Sequence, residues 1–357
     1  MQINHKLKEA YDILIKNKRS LCIIVHCPPK VGSTTLVTSL RVSLGKIANV
    51  IHLHDEIMLG VLTGIKNISV NEIIDYISLQ VETLYVIDIY RTPIERKISE
   101  FFDKLSFHFN NSEENISKYN IQLLIDRFNK LFPYLAVSEH YLDRYNIPEP
   151  TPFDFDNKYT LQQINNIQYL KLRLVDVSLW SSILSNLLKT HVVIINDYLT
   201  SNKLLGNKYA EFKKEYKLPS NFHELLLTDK NLLFYFNKDE RTTYLNSYNR
   251  ILDRYVKPYT YDEYVFYLDI TLRNQFYDTI EINHYIDNGC FCNACTLKRR
   301  EIYTKAIKGE IITDKINHAQ CVYNMKSAIL EKIKEKMVQA VKRRGKSNTI
   351  NINTSIL

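Results

Sequence analysis

Glycine and tryptophan are scarce in this chain of 357 residues, with 8 and 1 respectively, and no run of about 18 apolar residues occurs anywhere in it. The missing run argues against a membrane-spanning helix, and charges spread through the opening MQINHKLKEA argue against a signal peptide. The expectation is a soluble, cytoplasmic protein. The low glycine content goes with many Tyr, Ile, Asn and Lys, a bias that reflects base composition and says nothing about chemistry. Cysteine is also sparse. Cys22 and Cys27 flank one apolar run, whereas Cys290, Cys292, Cys295 and Cys321 lie late; without a secretory signal these read as reduced thiols or metal ligands, not as disulfides.

What is present centres on Leu21 to Leu36, LCIIVHCPPKVGSTTL. The apolar Leu21–Val25 reads as a buried strand, Pro28-Pro29 as a turn, and the spacing from Leu36 to Leu40 as a helix. Such a loop aims backbone N–H groups from the positive end of a helix, with Gly32 allowing close approach and Lys30, Ser33, Thr34 and Thr35 supplying donors. That arrangement binds an anion, with phosphate the expected one. It is not G-x-x-x-x-G-K-[ST], because the lysine precedes the glycine and no glycine opens the loop, which weighs against an ATPase or a nucleotide kinase.

A β-prone run from Asn49 ends in His52-Leu53-His54-Asp55-Glu56, and Leu84–Tyr90 is apolar enough for a buried parallel strand. Ligands of such sheets gather at the strands' carboxyl ends. Arg91 follows the second run, Pro93 can open a helix, and Ser99 falls about two turns along it. Further on, 4–18 and 70–82 read as helices, Gln168–Leu174 and His191–Asn196 as strands, and 146–152 as a Pro-rich connector.

Lys30-Val31-Gly32-Ser33-Thr34 after a strand resembles the 5′-phosphosulfate loop of sulfotransferases, and Arg91 to Phe101 resembles their 3′-phosphate segment. With His52-Leu53-His54, Pro152-Phe153-Asp154 and Gly206-Asn207-Lys208-Tyr209, the resemblance extends over roughly residues 20–250 to the capsular polysaccharide synthesis branch of sulfotransferase-like P-loop proteins. Tyr209 departs from the Trp-Tyr that often follows the lysine there. The resemblance implies an α/β fold, a parallel sheet flanked by helices, spanning 1–255. It also implies 3′-phosphoadenosine-5′-phosphosulfate (PAPS) as sulfuryl donor and a hydroxyl, most plausibly of a carbohydrate, as acceptor. Lys30 would neutralise the bridging oxygen, Gly32, Ser33, Thr34 and Thr35 hold the 5′-phosphate, and Arg91 and Ser99 the 3′-phosphate. His54 is the expected general base, since histidine starts near a pKa of about 6.5. His52, Asp55 and Glu56 stand beside it.

Residues 256–357 form a second, mainly helical region. Cys290, Cys292, Cys295, His318 and Cys321 offer five candidate ligands for a structural zinc. Val322, Met325, Ile329, Ile333 and Met337 have helical spacing, and the basic Lys342-Arg343-Arg344-Gly345-Lys346 precedes a polar tail. From Lys298 to Lys346 stand 14 Lys and Arg against 5 Asp and Glu, more net charge than the +8 of the whole chain. A polyanion could dock there. This supports an alternative function, a nucleic-acid-associated protein whose loop is not catalytic.

Overall fold

A strand buried on both faces favours apolar residues at nearly every position; the first three parallel strands largely follow that pattern, and the fourth departs from it with Gln168, Lys171 and Arg173. The four are β1 (Leu21–His26), β2 (Ala48–Leu53), β3 (Thr83–Tyr90) and, with β4 (Tyr159–Ile164) before it, β5 (Ile167–Arg173). The computed structural model describes residues 2–45, 47–109, 111–195, 204–248, 251–252, 255–273, 279–281, 293–310 and 322–324. Its main sheet runs β2-β1-β3-β5-β4, parallel except for the edge strand β4. The β4–β5 hairpin turns on Asn165 and Asn166, with Asn165 left-handed at φ 55, the chemistry a two-residue turn requires. That Asn-Asn pair was the sign of a strand unforeseen before Gln168.

Helices cover both faces of the sheet. Before β1 comes α1 (Gln2–Leu14); α2 (Ser33–Leu44) links β1 to β2, and α3 (Glu56–Thr63) and α4 (Val70–Ser78) link β2 to β3. After β3 follow α5 (Pro93–Asp103), α6 (Leu105–Phe109), α7 (Glu113–Ile116) and α8 (Ile121–Leu131). Beyond the sheet lie α9 (Trp180–Leu188), α10 (Gly206–Glu215), α11 (Ser220–Leu227), α12 (Lys230–Tyr235), α13 (Lys238–Ser247), α14 (Tyr261–Arg273) and α15 (Asn293–Ile307). No helix among the described residues is long and apolar enough to cross a membrane.

Strand parity sorts the core. Cys22, Ile24, Ile51, Leu53, Leu84 and Val86 pack with α1 and α4 on one face; Ile23, Val25, Cys27, Val50, Ile87 and Ile89 pack with α2 and α9 on the other. A third core joins α5, α8, α10 and α11 through Phe101, Phe128, Phe212 and Phe222, and Tyr267 of α14 belongs to it. Each such side chain contributes roughly 1.5–3 kcal/mol by leaving water.

The apolar run His191–Asn196 is not a strand: its described part, up to Ile195, is irregular. The backbone N–H groups of Val192, Val193 and Ile195 donate instead to the hydroxyls of Ser185, Ser43 and Ser39, so the run lies buried against α2 and α9 without a sheet partner. Val322–Asn324 likewise pairs as a short strand with Thr279–Glu281 instead of opening a helix; Val-Tyr, β-branched and aromatic, suits a ladder. The rest of the expected helix lies outside the described residues.

Candidate functional site

From β1 the chain passes through α2 to β2 on one side, then returns to β3 on the other. The connections part at β1, and the crevice between them opens at the strands' carboxyl ends. There lies the Cys27–Gly32 loop. Lys30 and Gly32 are both left-handed, with φ of 66 and 94. The left-handed backbone demands glycine at 32; a Cβ there would also stand 2.7 Å from Leu174 Cδ1, a methyl that a turn of the leucine side chain can move aside. No side chain caps α2, which starts at Ser33, leaving its first-turn N–H groups directed at the crevice.

Two expected anion-binding segments meet here. Arg91, half-buried past the end of β3, donates from Nη1 to Lys30 O at 2.9 Å. Lys30 itself forms an ion pair of 2.6 Å with Asp103 at the end of α5, and any anion arriving at the loop competes with that carboxylate. Thr34 and Thr35 are half-buried, whereas Ser33 is buried with its hydroxyl near the Cys27 thiol. Ser99 is buried on α5, which leaves Arg91 the accessible member of its pair. Arg96, which nothing in the sequence marks, ties the loop down: Nε donates to Pro29 O at 3.3 Å, and Nη1 and Nη2 to Ser138 O and Oγ at 2.5 and 3.0 Å. Beside these cations opens a cavity of about 340 Å³ lined by Tyr90, Arg91, Arg96, Lys97, Ser138 and Asp229. The buried Tyr90 hydroxyl, on its wall, makes no hydrogen bond among the described residues.

On the other side of β1, His54 Nδ1 lies 2.7 Å from Cys27 O. A carbonyl only accepts, so the proton sits on Nδ1 and the lone pair on Nε2. Burial holds this histidine below its usual pKa, assisted by Lys30 and Arg96, so it is neutral, the form a general base needs. Asp55 caps α3 by accepting from Met58 N at 2.8 Å, and Glu56 pairs with Arg144. Both carboxylates are thus committed to structure. His52 is buried with its ring against that of His54, centroids 4.6 Å apart.

Behind the loop lies a second titratable group. His26 and His140 stack at 4.4 Å; burial, then neighbouring Arg144, pushes His26 down to about 3, while burial and the His26 ring lower His140. In the third core His108 is also pushed down to about 3 by burial, then by Lys104 and Arg127. Each ring stays neutral in the fold but takes a proton in the unfolded chain below about pH 6.5, so acid removes stability, at about 1.4 kcal/mol per pH unit per ring well below that value. Asp88, pushed up by burial and then by Glu139, works in the opposite sense and offsets part of this loss. The unfolding free energy should therefore fall by a few kcal/mol between about pH 6.5 and 5. Urea titrations across that window check it, with a flat or rising midpoint the contrary result; His108→Phe, retaining the stack on Phe101, should shallow the slope.

Of the C-terminal candidates, Cys290, Cys292, His318 and Cys321 lie outside the described residues, as does the basic Lys342–Lys346; Cys295 falls within α15. No family model, no curated protein and no solved structure matches the chain.

Proposed function

We propose that the chain is a PAPS-dependent sulfotransferase that passes a sulfuryl group to a hydroxyl, with a carbohydrate as acceptor. The observation that carries this reading is the contact between Arg91 and Lys30 O, which joins two anion-binding segments 61 residues apart in one crevice. Sulfuryl transfer asks mainly for positioning and for positive charge where the leaving oxygen develops its negative one. Lys30 meets the bridging oxygen, the α2 N-terminus with Gly32, Ser33, Thr34 and Thr35 holds the 5′-phosphate, and Arg91 holds the 3′-phosphate with its planar fork. The cavity beside Arg91, at the small end of the range for ligand sites, gives the nucleoside room. His54 takes the acceptor's proton on Nε2.

Calorimetry separates this from nucleotide binding of the ordinary kind. 3′,5′-Adenosine bisphosphate should bind at least about tenfold more tightly than ADP or ATP, a difference of about 1.4 kcal/mol. Arg91→Ala should erase that preference. ATP binding as tight as the bisphosphate would overturn the reading.

A further inference from the structure

We propose that Cys27, His52 and His54 form a binding site for a thiophilic divalent cation, zinc in the first place. The three come together through strand register. Cys27 continues β1, its N–H donating to Leu53 O at 3.3 Å, and has the parity of Ile23 and Val25; His52 and His54 have the parity of Val50 on β2. All three side chains therefore leave the sheet on the face that carries α2. The Cys27 sulfur and one ring nitrogen of each histidine lie within 4.8 Å of one another. Tetrahedral zinc, at about 2.0–2.3 Å from each donor, spaces its donors roughly 3.3–3.8 Å apart, so side-chain shifts of about 1 Å complete the set.

Three further features suit a metal. Cys27 and His52 are 0% and 1% exposed, so water does not compete for their donor atoms. His54 is held through Nδ1 by the Cys27 carbonyl, the outer contact that ligating histidines commonly use to fix ring and tautomer. Ser33 lies close enough to hydrogen-bond the Cys27 sulfur, an outer contact for a thiolate. The buried thiol is neutral in the metal-free chain; on coordination its proton passes to solvent and the sulfur binds as thiolate. Of the charges that bear on Cys27, Lys171 and Arg96 favour the thiolate and Asp88 opposes it. Three protein ligands leave the fourth position to water or to an oxyanion held by the adjacent loop. The site does not depend on the sulfotransferase reading, and the two uses of His54 exclude each other: an ion on His54 Nε2 occupies the lone pair that the other reading gives to the acceptor's proton.

Cobalt(II), which reports its ligands by colour, is the direct probe. In full-length protein carrying Ser at Cys290, Cys292, Cys295 and Cys321, one equivalent of cobalt should bind, with tetrahedral visible bands and a near-ultraviolet thiolate charge-transfer band. Adding Cys27→Ser should abolish the charge-transfer band, and His52→Ala or His54→Ala should weaken cobalt binding by more than the roughly 10–100-fold of outer-shell changes. A folded protein that binds no cobalt, or whose band survives Cys27→Ser, would overturn the proposal. Should the multiple serine variant fail to fold, zinc is counted by native mass spectrometry in the otherwise unaltered chain. Cys27→Ser should then lower the count by one, and an unchanged count would likewise overturn the site.

Discussion

Lys30→Ala is expected to lower the rate of sulfuryl transfer from PAPS by about 10²–10³-fold, the loss seen when one preorganised donor to a developing oxyanion is removed. The melting temperature should barely move. Lys30 pairs with Asp103, but the two side chains are 20% and 35% exposed, and pairs so open to solvent contribute about 0–1 kcal/mol. The left-handed backbone at Lys30 is as costly for alanine as for lysine, so no new strain arises. Asp103→Asn is the companion variant. It releases Lys30 from its competing carboxylate and should tighten 3′,5′-adenosine bisphosphate a few-fold, about 1 kcal/mol. Both effects are read with radiolabelled PAPS and calorimetry, beside a thermal melt. Transfer retained within tenfold in Lys30→Ala would remove Lys30 from the chemistry.

The largest effect on stability belongs to Lys171. On the sheet face opposite Cys27, His52 and His54, the register of β3 and β5 sets Lys171 directly across from Asp88, and Lys171 Nζ reaches Asp88 Oδ2 at 2.7 Å and also Glu139. All three are buried. Burial alone would push Lys171 down, yet the two carboxylates more than offset it and hold the ammonium charged. Asp88 is pushed up to about 7 by burial and by Glu139, because one ammonium cannot balance two carboxylates. Their remaining lone pairs are met by Ile89 N, Tyr141 N, Leu142 N and the Tyr235 hydroxyl. Lys171→Met keeps most of the stem and removes the charge, leaving the carboxylates uncompensated at a cost of about 3–5 kcal/mol. At about 2–4 °C per kcal/mol for a domain of this size, the melting temperature should fall by about 10 °C. The deficit should shrink as pH falls toward 5, because protonated carboxylates need no cation. A loss under about 1 kcal/mol, or one independent of pH, would mean that the triad does not hold the fold.

How much of this was legible beforehand depends on the range of the interaction. Leu21–His26, Ala48–Leu53 and Thr83–Tyr90 announce themselves as strands because burial on both faces demands continuous apolar residues. Pro93 starts α5 as its fixed φ requires, and Gly32 sits where a left-handed residue is needed. Val192 to Ile195 has the same apolar character as β1, yet a nearby serine hydroxyl of α9 and two of α2, about 150 positions away, satisfy its backbone. Composition could not show it.

The candidate site divides in the same way. The sequence by itself determined the strand–loop–helix around Lys30 and Gly32, the Arg91 segment after a second buried strand, and the His52–His54 alternation. Each follows from neighbours within a few residues, through periodicity and backbone sterics. Only the tertiary structure decided that Arg91 meets Lys30, that Asp103 competes for the same lysine, that Arg96 anchors the loop, and that Cys27 faces His52 and His54. Those pairings depend on which strands lie side by side and in what register, and a shift of one residue would turn every side chain of a strand to the opposite face.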